Sequence, residues 1–102
     1  MKNIYPLIKA DTNIAPGTHF LVKLEATYKQ LVDLLGKPHY DESGDGKVQA
    51  EWHFTVGTKG DPVTIYDYKS GCPKEEVTEW HIGGNKLETG IWVKTILEDL
   101  LE

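Results

Sequence analysis

The chain has 102 residues and a mass of 11.5 kDa, which leaves room for one hydrophobic core and predicts a single α+β domain over residues 1–102. Sixteen acidic against eleven basic residues give a formal charge of −5, and with no local basic patch visible this disfavours duplex nucleic acid as a partner. A mean hydropathy of −0.41 without a long apolar run argues against a membrane-spanning helix, and the lone Cys72 cannot form an internal disulfide, which fits a reducing cytoplasm.

Asn3 to Lys9 reads as a short strand, placed at a sheet edge because Pro6 lacks a ladder donor. Pro6 and Lys9 also interrupt any signal-peptide core after Met1, so a cytoplasmic protein is expected. Turn formers at Asp11–Asn13 and Pro16-Gly17 lead to His19-Phe20-Leu21-Val22, either a second strand or the approach to a helix. Thr27 and Gln30 have capping-box spacing. Leu31, Leu34 and Leu35 follow at helical intervals until Gly36 and Pro38 stop the helix. Asp41 to Lys47 is a polar, turn-rich connection.

The stretch from Val48 to Asn85 is the most informative. Its three strand-like runs, VQAEWHFTV, PVTIYDYK and VTEWHIGG, carry Trp52, Phe54, Tyr66, Tyr68 and Trp80 together with His53 and His81. From Val48 to Val56 apolar and polar residues alternate without a break, so Trp52 and Phe54 face a core while Glu51 and His53 face away from it. Gly57 to Asp61 forms a hairpin into a strand from Val63 to Lys69. Pairing Val56 with Val63 keeps Val63 and Ile65 inside and sends Tyr66 and Tyr68 outward beside Glu51 and His53; a slip of one residue would reverse this. In the third strand, Val77 to Ile82, Trp80 and Ile82 point inward and Glu79 and His81 outward, and Gly83-Gly84 ends it. A final helix begins after Asn85 or Thr89, with an apolar stripe of Ile96, Leu97, Leu100 and Leu101 joined by Trp92 or Val93. The expected architecture is a three- to five-stranded, largely antiparallel sheet with two helices on one face.

Four groups of residues bear on chemistry. Tyrosine and histidine on the outer sheet face can stack a base, and Glu51 and Glu79 can accept hydrogen bonds from ribose hydroxyls or exocyclic amines; strand propensity alone also places tyrosine on such faces. Gly83, Gly84 and Asn85 precede a helix, where backbone N–H groups can receive a phosphate; a plain strand-to-helix turn has the same composition, and Gly44-Asp45-Gly46-Lys47 lacks the flanking elements of a phosphate loop. His53 and His81 with neighbouring carboxylates invite acid–base chemistry, yet no metal-ligand spacing such as HExxH or paired CxxC occurs, so neither metal nor cofactor is expected. Cys72, in Ser70-Gly71-Cys72-Pro73, reads as a loop thiol.

The runs TIYDYK (Thr64 to Lys69), EWHIGGN (Glu79 to Asn85) and TYKQLVDLLGKP (Thr27 to Pro38) resemble small acidic proteins encoded by bacteriophages, over the chain from about Thr27 onward. That resemblance implies action against bacterial immunity, in the manner of the anti-Thoeris and anti-CBASS sponges of the Sequestin and Lockin type, which hold a host nucleotide signal without cleaving it. The expectation is therefore a non-enzymatic, homo-oligomeric binder of a small nucleotide-like ligand in the host cytoplasm. Tyr66, Tyr68 and Trp80 would stack, His53 and His81 would make polar or phosphate contacts, and Gly83, Gly84 and Asn85 would seat the anion. The chain departs from a cyclic-dinucleotide sponge in containing no arginine. The alternative expectation is an acidic interaction protein that blocks a host nuclease or defence complex, with charge from Asp41, Glu42, Asp45, Glu75, Glu76 and Glu79.

Overall fold

Period-two alternation and glycine punctuation translate into a five-stranded antiparallel sheet with two helices. The computed structural model describes residues 7–9, 19–38, 50–57, 60–68 and 71–101. Along the chain these form β1 (Leu7–Lys9), β2 (His19–Glu25), α1 (Tyr28–Leu35), β3 (Glu51–Val56), β4 (Asp61–Tyr66), β5 (Glu79–Gly84) and α2 (Leu87–Leu101), with a 3₁₀ turn at Lys74–Glu76. The strand order is β1-β3-β4-β5-β2. The meander β3-β4-β5 is thus the centre of the sheet, and the N-terminal segments supply both edges. The expected strand from Asn3 is described only from Leu7, as an edge strand on β3; Val48, Gln49 and the Asp41–Lys47 connection lie outside the described residues.

The hairpin register differs from expectation by two residues. Val56 lies opposite Asp61 and Phe54 opposite Val63, with Gly57 and Gly60 at φ of +67° and +71° and the Gly60 N–H donating to the Gly57 carbonyl at 3.3 Å. Side chains alternate with period two, so an even offset leaves every side chain on its expected face. Pro62 therefore stands second in β4, opposite Thr55, rather than at the first strand position. β5 also runs further than expected, since it includes Gly83 and Gly84.

One side of the sheet buries Trp52, Phe54, Val56, Val63, Ile65, Trp80, Ile82 and Leu24. α1 reaches this side through Leu31, Leu34 and Leu35 and through two indole hydrogen bonds. Trp80 Nε1–H donates to the Ala26 carbonyl at 3.0 Å, and Trp52 Nε1–H to the Gly36 carbonyl at 2.9 Å. The Tyr28 ring lies 6.1 Å from Trp52 and 6.3 Å from Trp80, closing an aromatic triangle under the helix. α2 approaches β2 where Gly90 abuts Leu21, which also packs on Gly84. Gly84 shares its face with Trp80 and Ile82, so the Leu21 contact puts α2 on that side too. Val93, rather than Trp92, joins Leu97 in the buried stripe of α2.

The capping box at α1 forms in both directions. The Gln30 N–H donates to Thr27 Oγ1 at 3.1 Å, and the Thr27 N–H donates to Gln30 Oε1 at 2.8 Å. Thr27→Ala should therefore cost about 1 kcal/mol in urea unfolding while Thr27→Ser stays near the parent value; equal losses for both would show that the hydroxyl is not the cap.

Candidate functional site

The outer face of the sheet is organised by two cross-strand rows. Glu51, Tyr66, His81 and Lys23 are successive neighbours across β3, β4, β5 and β2, and His53, Thr64, Gly83 and Phe20 form the adjacent row. His81 is the hub of the aromatic groups. Its ring centroid lies 4.6 Å from Phe20, 5.4 Å from Tyr66 and 6.3 Å from Tyr68, with the tyrosines nearly perpendicular to it at 73° and 72°. Edge-to-face packing of this kind leaves ring faces and edges open to a guest. Phe20 and Tyr68 are 45% and 38% exposed, while Tyr66 and His81 are half-buried.

Gly83 makes this convergence feasible. A Cβ there would lie 2.8 Å from Thr64 Oγ1, 3.1 Å from the His19 carbonyl oxygen and 3.2 Å from Tyr66 Cε1. The missing side chain is the space into which the Tyr66 ring and the Thr64 side chain settle. Beside the cluster, a cleft of about 300 Å³ opens between Tyr68, His81, Glu79, Glu76, Thr78 and Cys72. Two carboxylates and two rings thus border one concavity. Lys23 sits at its rim with Nζ 3.1 Å from Glu79 Oε1, both groups more than half exposed.

Several residues expected at the site lie elsewhere. Trp80 is fully buried, with its N–H spent on Ala26 and its ring on the helix side, so it belongs to the core and not to a stacking surface. His53 keeps its outward position in the alternation but is also fully buried, with Nε2 2.8 Å from Glu51 Oε2. It is not presented to solvent as a phosphate contact. Strands β3 and β5 flank β4, and the two histidines also stand two residues apart along the strands, which separates His53 from His81 by roughly 12 Å. Gly83 and Gly84 are buried within β5, so their N–H groups are not an exposed anion rest. Asn85 is exposed past the far end of β5, about 13 Å along the strand from His81. Tyr66, Tyr68 and His81 are brought together as expected. Among the described residues no group of three or more His, Cys, Asp or Glu side chains could hold a metal ion. Residues 39–49, which include Asp41, Glu42, Asp45 and the Gly44–Lys47 run, lie outside the described residues.

Phe20 is the site residue that alternation missed. The β2–β5 register shifts between Phe20 and Val22, so Leu21 and Val22 both turn toward the core side while Phe20 and Lys23 both turn outward, and no period-two pattern marks Phe20.

Comparison with known proteins returns no matching family model, no similar curated protein and no similar solved structure.

Burial lowers the His81 pKa from its usual 6.5; Lys23 works in the same direction, and Glu79 and Asp67 oppose it. Tyr66 is pushed above its usual 10.0 by burial, then by Glu51 and Tyr68. Both groups are therefore neutral at pH 7, as suits a face that stacks rather than ion-pairs. For His81 the unfolded chain takes up its proton first as the pH falls. Stability from this group is complete above 6.5, declines below it and levels off once the folded-state pKa is passed. An NMR titration should give a His81 midpoint below 6.5, and His81→Gln should flatten the acid side of the stability profile; a midpoint above 6.5 would show that Glu79 and Asp67 dominate. Gly83→Ala should cost about 1–3 kcal/mol by overpacking, with partial recovery in the Gly83→Ala/Thr64→Ala double variant. A neutral Gly83→Ala would mean that Thr64 and Tyr66 do not fill that space.

Proposed function

We propose that this chain binds and sequesters, without turning it over, a small nucleotide-derived signal whose flat base lies on the outer sheet face. The observation that carries the reading is the convergence of Phe20, Tyr66 and Tyr68 on His81 beside a cleft bordered by Glu76 and Glu79. Each base stacked on an aromatic side chain gains about 1–3 kcal/mol. A base stacked here reaches its ring N–H and amine donors toward the carboxylates, which when ionised accept hydrogen bonds and donate none.

Charge orients the ligand. The chain has no arginine, Lys23 is engaged by Glu79, and the two glycines of β5 are buried. The base end therefore enters the cleft and the phosphates stay toward solvent, away from Glu76 and Glu79. Holding rather than cleaving is favoured by the placement of His53, which is buried against Glu51 and leaves His81 as the histidine at the cleft. With the resemblance noted above, the reading is of a phage-encoded sponge acting in the host cytoplasm on a cyclic ADP-ribose isomer or a cyclic oligonucleotide.

Titration calorimetry against cyclic ADP-ribose isomers and cyclic dinucleotides should find one class that binds, with Tyr68→Ala and His81→Ala each weakening it by about tenfold. Absence of binding by the whole panel would remove the proposal. The ligand recovered intact after denaturing the complex marks a sponge, whereas recovery of cleaved product would replace it with an enzyme.

A further inference from the structure

The charged groups that line the cleft beside His81 are the carboxylates of Glu76 and Glu79; among the described residues no lysine lines it. A third carboxylate stands behind them. Asp67 is fully buried, with Oδ1 accepting from the Ala50 N–H at 3.0 Å, and although burial is the leading influence on the His81 pKa, Glu79 and Asp67 both pull it upward. Against these three stands one ammonium, Lys23, at 3.1 Å from Glu79. Lys74 is drawn elsewhere, since its Nζ lies 5.4 Å from the ring of Tyr28, which packs on Trp52 and Trp80 on the helix side. Among the described residues, the surroundings of His81 and Tyr68 are therefore negative even after Lys23 is counted.

The rings act in the same direction. Phe20, Tyr66 and Tyr68 gather around His81, and the face of an aromatic ring attracts a cation through its quadrupole. Carboxylates then take hydrogen bonds most strongly from donors that carry charge. A neutral adenine meets these groups less well, because the ring nitrogen beside its amine is an acceptor and its lone pair opposes a carboxylate. Adenine bonded to carbon at that nitrogen is protonated at neutral pH, spreads positive charge over ring and amine, and loses the opposing lone pair.

We propose that this site selects a cationic base, a purine or pyridine ring charged through an extra bond at a ring nitrogen, over the neutral base of an ordinary nucleotide. The inference rests on the stacked-base reading above and narrows it. A cyclic ADP-ribose closed through a ring nitrogen of its adenine meets the requirement, whereas cyclic oligonucleotides, whose bases are neutral, do not.

Calorimetry at pH 7 with three nucleosides tests the selection without any phosphate. The cation is 1-methyladenosine, its neutral isomer is N6-methyladenosine, and guanosine is a neutral base with two adjacent donors. The cation should bind about tenfold more tightly than either neutral base, and added salt should narrow the gap. Glu76→Gln should lower the ratio between the two isomers about threefold or more, and Glu79→Gln, which also releases Lys23, should lower it further. Glu76 and Glu79 are exposed, so both variants should keep the parent near-ultraviolet circular dichroism. Equal affinity of the isomers, tighter binding of guanosine, or an unchanged ratio in both variants would overturn the inference while the stacked base stands. Binding of none of the three would overturn it too, and a blank cyclic-nucleotide panel would then remove the stacked base as well.

Discussion

Two indole N–H groups tie the ends of α1 to the sheet, and most of the architecture depends on them. Trp80 donates to the Ala26 carbonyl just before the helix and Trp52 to the Gly36 carbonyl just after it. A tryptophan can be buried at little cost only where its N–H finds an acceptor, and the backbone on either side of a short helix offers carbonyls that the helix itself does not satisfy. Removing either donor would orphan a carbonyl at about 1–3 kcal/mol beyond the lost packing. With both rings committed to one side, the parity of β3 and β5 is fixed, and the residues between the tryptophans and their apolar neighbours have only the other side to occupy.

That other side carries the aromatic cluster around His81. Tyr66 and His81 are opposite one another because Trp52, Ile65 and Ile82 are opposite one another in the inner row one residue along. The glycine at position 83 then lets the Tyr66 ring and Thr64 lie low over β5, and the bulge in β2 turns Phe20 onto His81. The aromatic face is thus a product of inner packing, one omitted side chain and one irregularity in an edge strand. Helix α2 has an analogous division, with Val93 inward and Trp92 outward, which gives the molecule two chemically different surfaces on opposite sides of the sheet.

What the sequence revealed and what it concealed follow from periodicity. The alternation through Trp52, His53 and Phe54 made the faces of β3 legible, and even a two-residue error in pairing left them unchanged. The Thr27–Gln30 capping box was legible because it is a local pattern of side chain and backbone. Gly83 and Gly84 misled for the opposite reason. Glycine reads as a turn, but here it stays in the strand and yields its space to Thr64, Tyr66 and Leu21. Tyr66, Tyr68 and His81 were recognisable as a group, whereas Phe20 was masked by the bulge, and the burial of His53 depends on its Glu51 partner and on packing that no one-dimensional pattern encodes. Trp80 carried the same residue type as a stacking group, and only its parity assigned it to the core.

Hydrogen exchange at the three tryptophan indoles tests this account most directly, because each indole is assigned a different environment. The Trp52 and Trp80 N–H groups should exchange only when the domain opens, while that of Trp92 exchanges freely with solvent. A Trp80 indole that exchanges as fast as Trp92, or that shows through-space contacts to the His81 ring, would contradict the fixed parity and with it the outer aromatic face.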